Sequence, residues 1–145
     1  PYTILRICIP YGNLVDDNYS FGTVGNFINR AAKDKIMLYG KGELRRTFTH
    51  IKDLCRILKL AAVADKTINR TINMPGEELL LKDVANFIAR RFSSKVEFVD
   101  WPTKDLLIES GNTVFDSSCL EKLLNTSIEY KFADWVKEIS IDVNK

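Results

Sequence analysis

The residues whose types allow chemistry are one histidine, His50, three cysteines, seven glycines and an adjacent arginine pair, Arg45-Arg46. A single histidine leaves a tetrahedral zinc site with almost no ligands to draw on. Cys8, Cys55 and Cys119 stand apart, show no C-x-x-C spacing and each lies in an apolar run, so they read as reduced core thiols. A phosphate-cradling turn needs glycines between a strand and a helix, where backbone N–H groups and the helix dipole receive the anion. Gly22-x-x-Gly25 is the nearest approach, but it has no strand before it and no third glycine, and reads as flexibility at a helix start. Arg46 opens an extended stretch, Arg46-Thr47-Phe48-Thr49-His50, that leads into a helix. A planar, permanently charged guanidinium there suits an anion; an ordinary solvated strand-end arginine is the plainer reading.

The elements around these residues alternate between strand and helix. Thr3–Ile9 is a near-continuous apolar run ending at Pro10-Tyr11-Gly12, which reads as a buried strand of a parallel sheet followed by a turn. A polar loop with Asp16-Asp17-Asn18 follows. Val24, Phe27, Ile28 and Ala31 then share a helical face. Ile36–Tyr39 is a short strand closed by Gly40-Lys41-Gly42. After the arginines comes a second helix whose face is Ile51, Leu54, Cys55, Leu58 and Ala62, with Asp53 suited to the positive pole of its first turn. Arg70–Met74 is a strand stopped by Pro75-Gly76, and a third helix spans about 81–92. Val96–Val99 alternates as a half-buried strand. In the loop from Asp100 to Asn112, Leu106-Leu107-Ile108 is expected to pack locally. Ser118 and Glu121 have capping-box spacing ahead of Leu120, Leu123 and Leu124. A last helix carries Phe132, Trp135, Val136 and Ile139. The alternation predicts an α/β fold with a mainly parallel arrangement.

The bulk numbers exclude several classes. Hydrophobic residues at 46% and charged residues at 28% place the chain among globular proteins. The formal net charge of +2, spread along the sequence, gives no electrostatic footprint for nucleic acid or a membrane surface. No apolar run approaches the ~20 residues of a transmembrane helix. Unpaired thiols suit a reducing, cytoplasmic setting. The sequence runs from Pro1-Tyr2 straight into an apolar strand, which needs neighbours on both sides. This leads to the expectation that preceding strands belong to a longer chain.

The order of the segments resembles a known family. Leu5-Arg6 to Tyr11-Gly12, then Tyr39-Gly40-Lys41-Gly42, Arg46-Thr47-Phe48-Thr49-His50-Ile51-Lys52-Asp53-Leu54, Thr71-Ile72-Asn73 and Phe115-Asp116-Ser117-Ser118 occur in sequence at fitting distances. Each motif is weak alone, and the ordered set covers the whole chain. It resembles the C-terminal, substrate-binding part of the extended short-chain dehydrogenase/reductases, the nucleotide-sugar epimerases and dehydratases that use NAD or NADP.

The resemblance implies a Rossmann-fold parent. Residues 1–12 would be its last inner strand and cleft turn, 13–49 the first part of a small α/β substrate lobe, 50–76 a helix and edge strand returning to the sheet, and 77–145 the rest of the lobe. Arg46 matches the family arginine that contacts the diphosphate of a nucleoside-diphosphate sugar. Tyr39, with Ile36 to Leu38, would form a ledge along the nucleobase, although an ordinary edge strand explains it equally. Asn29 or Asn26 could face the nucleotide. Pro10 and Gly12 would line the cofactor and substrate cleft, with Tyr11 packed behind.

The family's general acid/base, a tyrosine with a lysine four residues on, is absent: Arg6, Val15, Thr23, Glu43 and Asp134 follow the five tyrosines at that spacing. His50 serves structure near the helix start in such motifs. The chain alone is therefore expected to be inactive and to bind no cofactor, and its exposed strand edge to favour a homo-oligomer. Departures weaken the diphosphate assignment. Ile9 and Pro10 stand where the family commonly has an asparagine before Tyr-Gly, and Thr47 replaces an acidic residue. The second phosphate arginine has no match between Asp100 and Thr113. A non-catalytic sugar-nucleotide or protein-binding module, and a nucleotide-sugar reductase of the same family, are the alternatives.

Overall fold

The structure is a computed structural model that describes residues 1–13 and 22–139. The polar stretch with Asp16, Asp17 and Asn18 lies outside the described residues. Strands β1 (Thr3–Arg6) and β2 (Ile9–Tyr11) open the chain, followed by helix α1 (Gly22–Lys33), β3 (Lys35–Tyr39) and β4 (Arg45–His50). Helix α2 (Ile51–Val63) leads through a 3-10 turn, Asp65–Thr67, to β5 (Arg70–Asn73) and β6 (Glu77–Leu80). Helix α3 (Leu81–Arg91), β7 (Lys95–Val99) and helices α4 (Thr103–Ile108), α5 (Ser118–Leu124) and α6 (Phe132–Glu138) complete it.

Three small sheets form. β1 pairs with β5 in parallel, Thr3 opposite Arg70 through Arg6 opposite Asn73. β3 pairs with β7 in parallel along the full length of both. β4 lies between β2, parallel, and β6, antiparallel. The expected α/β architecture with mainly parallel pairing is what the chain adopts. Two hydrophobic cores hold it. The larger packs α1, α3 and α6 on β2, β3 and β4 around Ile28, Ile36, Phe48, Val84, Ile88 and Phe132. The smaller joins α2, β5 and α5 through Leu54, Ile57, Ile72, Met74 and Leu120. Helix α5 thus packs with the β1–β5 pair, across the boundary expected at residue 77.

Several expectations need correction. The apolar run 3–9 is two strands in two different sheets, broken at Ile7-Cys8, and Pro10 and Tyr11 belong to β2 instead of a turn. Ile4 and Ile7 are 51% and 41% exposed, because β1 has β5 as its partner on one side and nothing from the described residues on the other. The buried stripe of α2 is Asp53, Leu54, Ile57 and Ala61, rotated from the expected face, so Cys55 and Leu58 face out. Apolar residues cover a wide arc of this helix, from Ile57 through Leu54 and Ile51 to Cys55, and periodicity cannot choose which part of the arc is buried.

Strand β6 escapes a pattern search because Glu77-Glu78-Leu79-Leu80 shows no alternation; its pairing with β4 makes it a strand. Leu106-Leu107-Ile108 forms helix α4, which buries none of its residues, and Leu107 and Ile108 are each 82% exposed. The α5 start is fixed by the Asp116 carboxylate, which accepts from the Ser118 N–H at 2.9 Å, while Ser117 Oγ donates to Glu121. No Ser118–Glu121 capping box forms. The three cysteines are free, but Cys55 and Cys119 are exposed and Cys8 half-buried, so they are not core thiols.

Candidate functional site

His50 ends β4 and caps α2: its Nδ1 accepts from the Lys52 backbone N–H at 3.2 Å. Its ring is buried, stacked on Tyr130 at 4.7 Å and edge-on to Tyr11 at 5.1 Å. Gly12 follows β2 with φ +93°, and a Cβ there would lie 2.6 Å from His50 Nε2, so the turn requires glycine and seats the imidazole beneath it. Pro10 is exposed at the same strand end. Burial, then the neighbouring Lys52 charge, holds the His50 pKa below its ordinary 6.5, against a smaller opposing pull from Asp53.

A histidine whose folded pKa is lowered contributes stability that is full above the unfolded value and lost as pH falls through 6.5 toward the lowered one. The urea midpoint should therefore hold from pH 8 to pH 7 and fall below 6.5. His50→Asn, which retains an N-cap acceptor, should flatten that fall; an unchanged slope in the variant would assign the pH dependence to other groups.

The described residues form an open cleft of about 350 Å³ at the C-terminal end of β3. Gly22, Thr23 and Asn26 line it from the first turns of α1, with Phe27 and Arg30 behind them. Leu38, Tyr39 and Trp101 close the opposite side. Tyr39 and Trp101 meet at 5.1 Å with planes 44° apart, one just inside β3 and the other just past its parallel partner β7. Gly40 makes this approach feasible: with φ +61° and a Cβ position 2.7 Å from Trp101 Nε1, any side chain would push the indole away. Asn26 lines the cleft, whereas Asn29 is exposed and is not among its lining residues. Trp101 was hidden in a nominal loop; an aromatic directly after a strand end is the signal that could have found it.

A second recess of about 340 Å³ lies on the other side of Tyr39 and Trp101, lined also by Lys41, Glu43, Leu106 and Glu109. Arg46 sits nearby at the start of β4. Its Nη2 meets Glu109 Oε1 at 2.6 Å, and its Nη1 donates to the carbonyl oxygens of Arg45, at 3.0 Å, and Gly111. Its side chain is 12% exposed. Arg45 points the other way and pairs with Glu78 at 2.6 Å, half exposed. Sequence reasoning found Arg46 and missed Glu109.

Tyr11 is unsuited to proton transfer. Its phenol is buried among His50, Phe132 and Trp135, and burial first, then Glu77 and Asp53, raises its pKa well above the ordinary phenol value. Asp53, in the first turn of α2, docks the segment that leads into α6. Fully buried, its carboxylate accepts from the backbone N–H groups of Glu129 and Tyr130 and pairs with Arg56. Among the described residues no group of three or more His, Cys, Asp or Glu could hold a metal ion, and no helix is long and apolar enough to cross a membrane. Gly25 is buried on the core side of α1, and the Gly12 turn packs against the His50 ring.

Residues 1–74, half of the chain, match the model of the NAD dependent epimerase/dehydratase family. The chain is 31% identical over 104 residues to UDP-N-acetyl-alpha-D-glucosaminuronate decarboxylase of Bacillus cytotoxicus, covering 70% of this chain and 32% of that protein. Among solved structures, UDP-N-acetylglucosamine 4-epimerase from Bacillus cereus aligns with a TM-score of 0.70 and 25% identity, over 92% of this chain and 43% of that one. UDP-glucose 4-epimerase from Thermotoga maritima, solved with UDP-glucose, aligns at 0.76 and 18% identity, over 94% and 43%. The chain spans about a third of the curated relative's length and about two-fifths of the solved ones. The ordered motifs, the parallel α/β fold and the family match agree: the chain belongs to the NAD dependent epimerase/dehydratase family.

Proposed function

We propose that this chain is the C-terminal, substrate-binding portion of an NAD(P)-dependent enzyme acting on a nucleoside-diphosphate sugar, and that it has no activity alone. The observation that carries the reading is the cleft between the start of α1 and the Tyr39–Trp101 pair, at the C-terminal ends of parallel strands, where open α/β folds bind ligands. The aromatic pair offers the nucleobase a flat, apolar wall. Asn26 offers an amide to its polar edge, and the first turn of α1, with no acidic residue, is an electropositive end. Arg46 is the diphosphate contact. NAD(P) would supply hydride transfer; the chain's part is to grip and orient the nucleotide-sugar and exclude water from it.

The domain division is the one the family resemblance implies, although each core draws residues from both sides of it. Residues 1–12 and 50–76 belong with the sheet of the larger protein, and 13–49 and 77–145 form most of the substrate lobe. Ile4, Ile7 and, on α2, Leu58, Leu60 and Val63 are exposed apolar side chains, part of which an N-terminal portion would cover. In its absence, that free edge would template association of copies. A cytoplasmic place suits the free thiols.

In the full-length protein, Arg46→Ala should weaken binding of UDP-glucose by about 1.5–3 kcal/mol, and Arg46→Lys should recover part of that. Arg45→Ala should be mild, because that side chain is solvated and paired with Glu78. Calorimetric titration with UDP-glucose and separately with NAD decides it. Equal losses for the two alanine variants, or none for either, would remove the diphosphate contact from Arg46.

A further inference from the structure

We infer that Glu109 occupies the place of a ligand phosphate on Arg46, so that the anion grip is closed by the chain's own carboxylate and opens only when a phosphate-bearing ligand displaces it. The inference rests on the reading of Arg46 as a diphosphate contact and concerns what sets affinity at that contact.

The geometry is that of an internal ligand. A guanidinium recognises an anion through its fork of N–H groups. Here the Nη2 side of that fork is bound to Glu109 Oε1 at 2.6 Å, and Nη1 is bound to the carbonyls of Arg45 and Gly111. The same Glu109 oxygen also accepts the Gly111 N–H at 3.0 Å, so the carboxylate folds the loop back over the arginine. The loop is zipped to β4 beside it. Thr113 exchanges backbone hydrogen bonds with Arg45 and Thr47, and the Arg45 N–H donates to Asn112 Oδ1. Both charged side chains are mostly shielded, at 12% and 21% exposure, so solvent weakens their attraction less than at an open surface.

The charge balance gives the consequence. Arg46 with Glu109 sums to zero, and a phosphate brought to the fork would meet a carboxylate at contact distance. Like charges so close oppose binding of a diphosphate while leaving a neutral nucleoside untouched.

The carboxylate also has somewhere to go. Glu109 directly follows α4, whose residues are all outside the core, with Leu107 and Ile108 largely solvated. Little packing resists its displacement. It already lines an open recess, which Lys41 also lines. Glu109 is therefore a specificity-determining residue. It penalises weakly held anions and admits a ligand whose remaining contacts, in the Tyr39–Trp101 cleft, outweigh the exchange.

The test uses the full-length protein and isothermal titration with UDP and with uridine, for the wild type, Glu109→Gln and Glu109→Ala. The glutamine keeps size and hydrogen bonding and removes the charge; thermal melts confirm that each variant is folded. Glu109→Gln should bind UDP about tenfold or more tightly than the wild type, with uridine affinity unchanged, and Glu109→Ala should show the same direction. A merely loop-ordering role predicts weaker binding, shared by UDP and uridine. UDP affinity in Glu109→Gln equal to or below that of the wild type, or a gain as large for uridine, overturns the inference while leaving Arg46 as a diphosphate contact. If UDP binds no better than uridine to the wild type and to both variants, the diphosphate reading fails and the inference fails with it.

Discussion

Phe132→Ala should lower the stability of the fold by about 3–5 kcal/mol, the range for truncating a fully buried phenylalanine. Its side chain is 0% exposed and opens α6. Its ring lies 5.0 Å from Tyr11, 5.9 Å from Phe48, 6.3 Å from Phe87 and 5.7 Å from Trp135, so one side chain joins β2, β4, α3 and α6. Removing it leaves a cavity among rigid rings that cannot collapse to fill it, which favours the upper part of the range. Phe132→Leu, which keeps most of the volume, should cost less than half as much. Urea denaturation gives the values, and a loss below about 1 kcal/mol for the alanine variant would mean that the aromatic cluster is not the centre of the larger core.

Asp53→Ala should cost a similar amount, about 3–5 kcal/mol, by a different mechanism. The carboxylate is wholly buried and accepts from the N–H of Glu129 at 2.9 Å and of Tyr130 at 2.9 Å, and from Arg56 Nη2 at 2.7 Å. Alanine leaves two backbone donors without their acceptor and takes the carboxylate from a guanidinium that keeps Thr126 and Ser127. Asp53→Asn retains an acceptor oxygen and should recover part of the loss. Amide exchange separates this from general destabilisation: residues 129 and 130 should lose protection far more than Val84 or Ile88 in the larger core. Equal acceleration everywhere would show that Asp53 does not dock the segment leading into α6.

The contrast between these two residues shows where the sequence is informative. Phe132 is recognisable from spacing, since it shares a helical face with Trp135 and Val136, and burying that face is the direct physical outcome. Asp53 shows only a carboxylate in a first turn, suited to the helix dipole. Its acceptance of hydrogen bonds from residues 76 and 77 positions away depends on chain topology that no local pattern encodes.

The candidate site divides in the same way. Arg46 and Tyr39 could be picked out because their motifs resemble those of the family, and Arg46 also as a permanently charged fork opening an extended stretch. Trp101 joins Tyr39 because β3 and β7 are parallel neighbours, a pairing between residues about sixty positions apart. Glu109 reaches Arg46 by the same long-range route. The α2 face was ambiguous because the apolar arc of that helix is wide, and burial follows whichever part of it meets β5 and α5. The amino-acid sequence by itself determined the helix and strand alternation, most of the core faces and the family, through local periodicity and the order of short motifs. Tertiary structure alone decided which strands pair, which side of α2 is buried, and that Arg46 is paired with Glu109, because those contacts join segments that meet only once the chain has closed on itself.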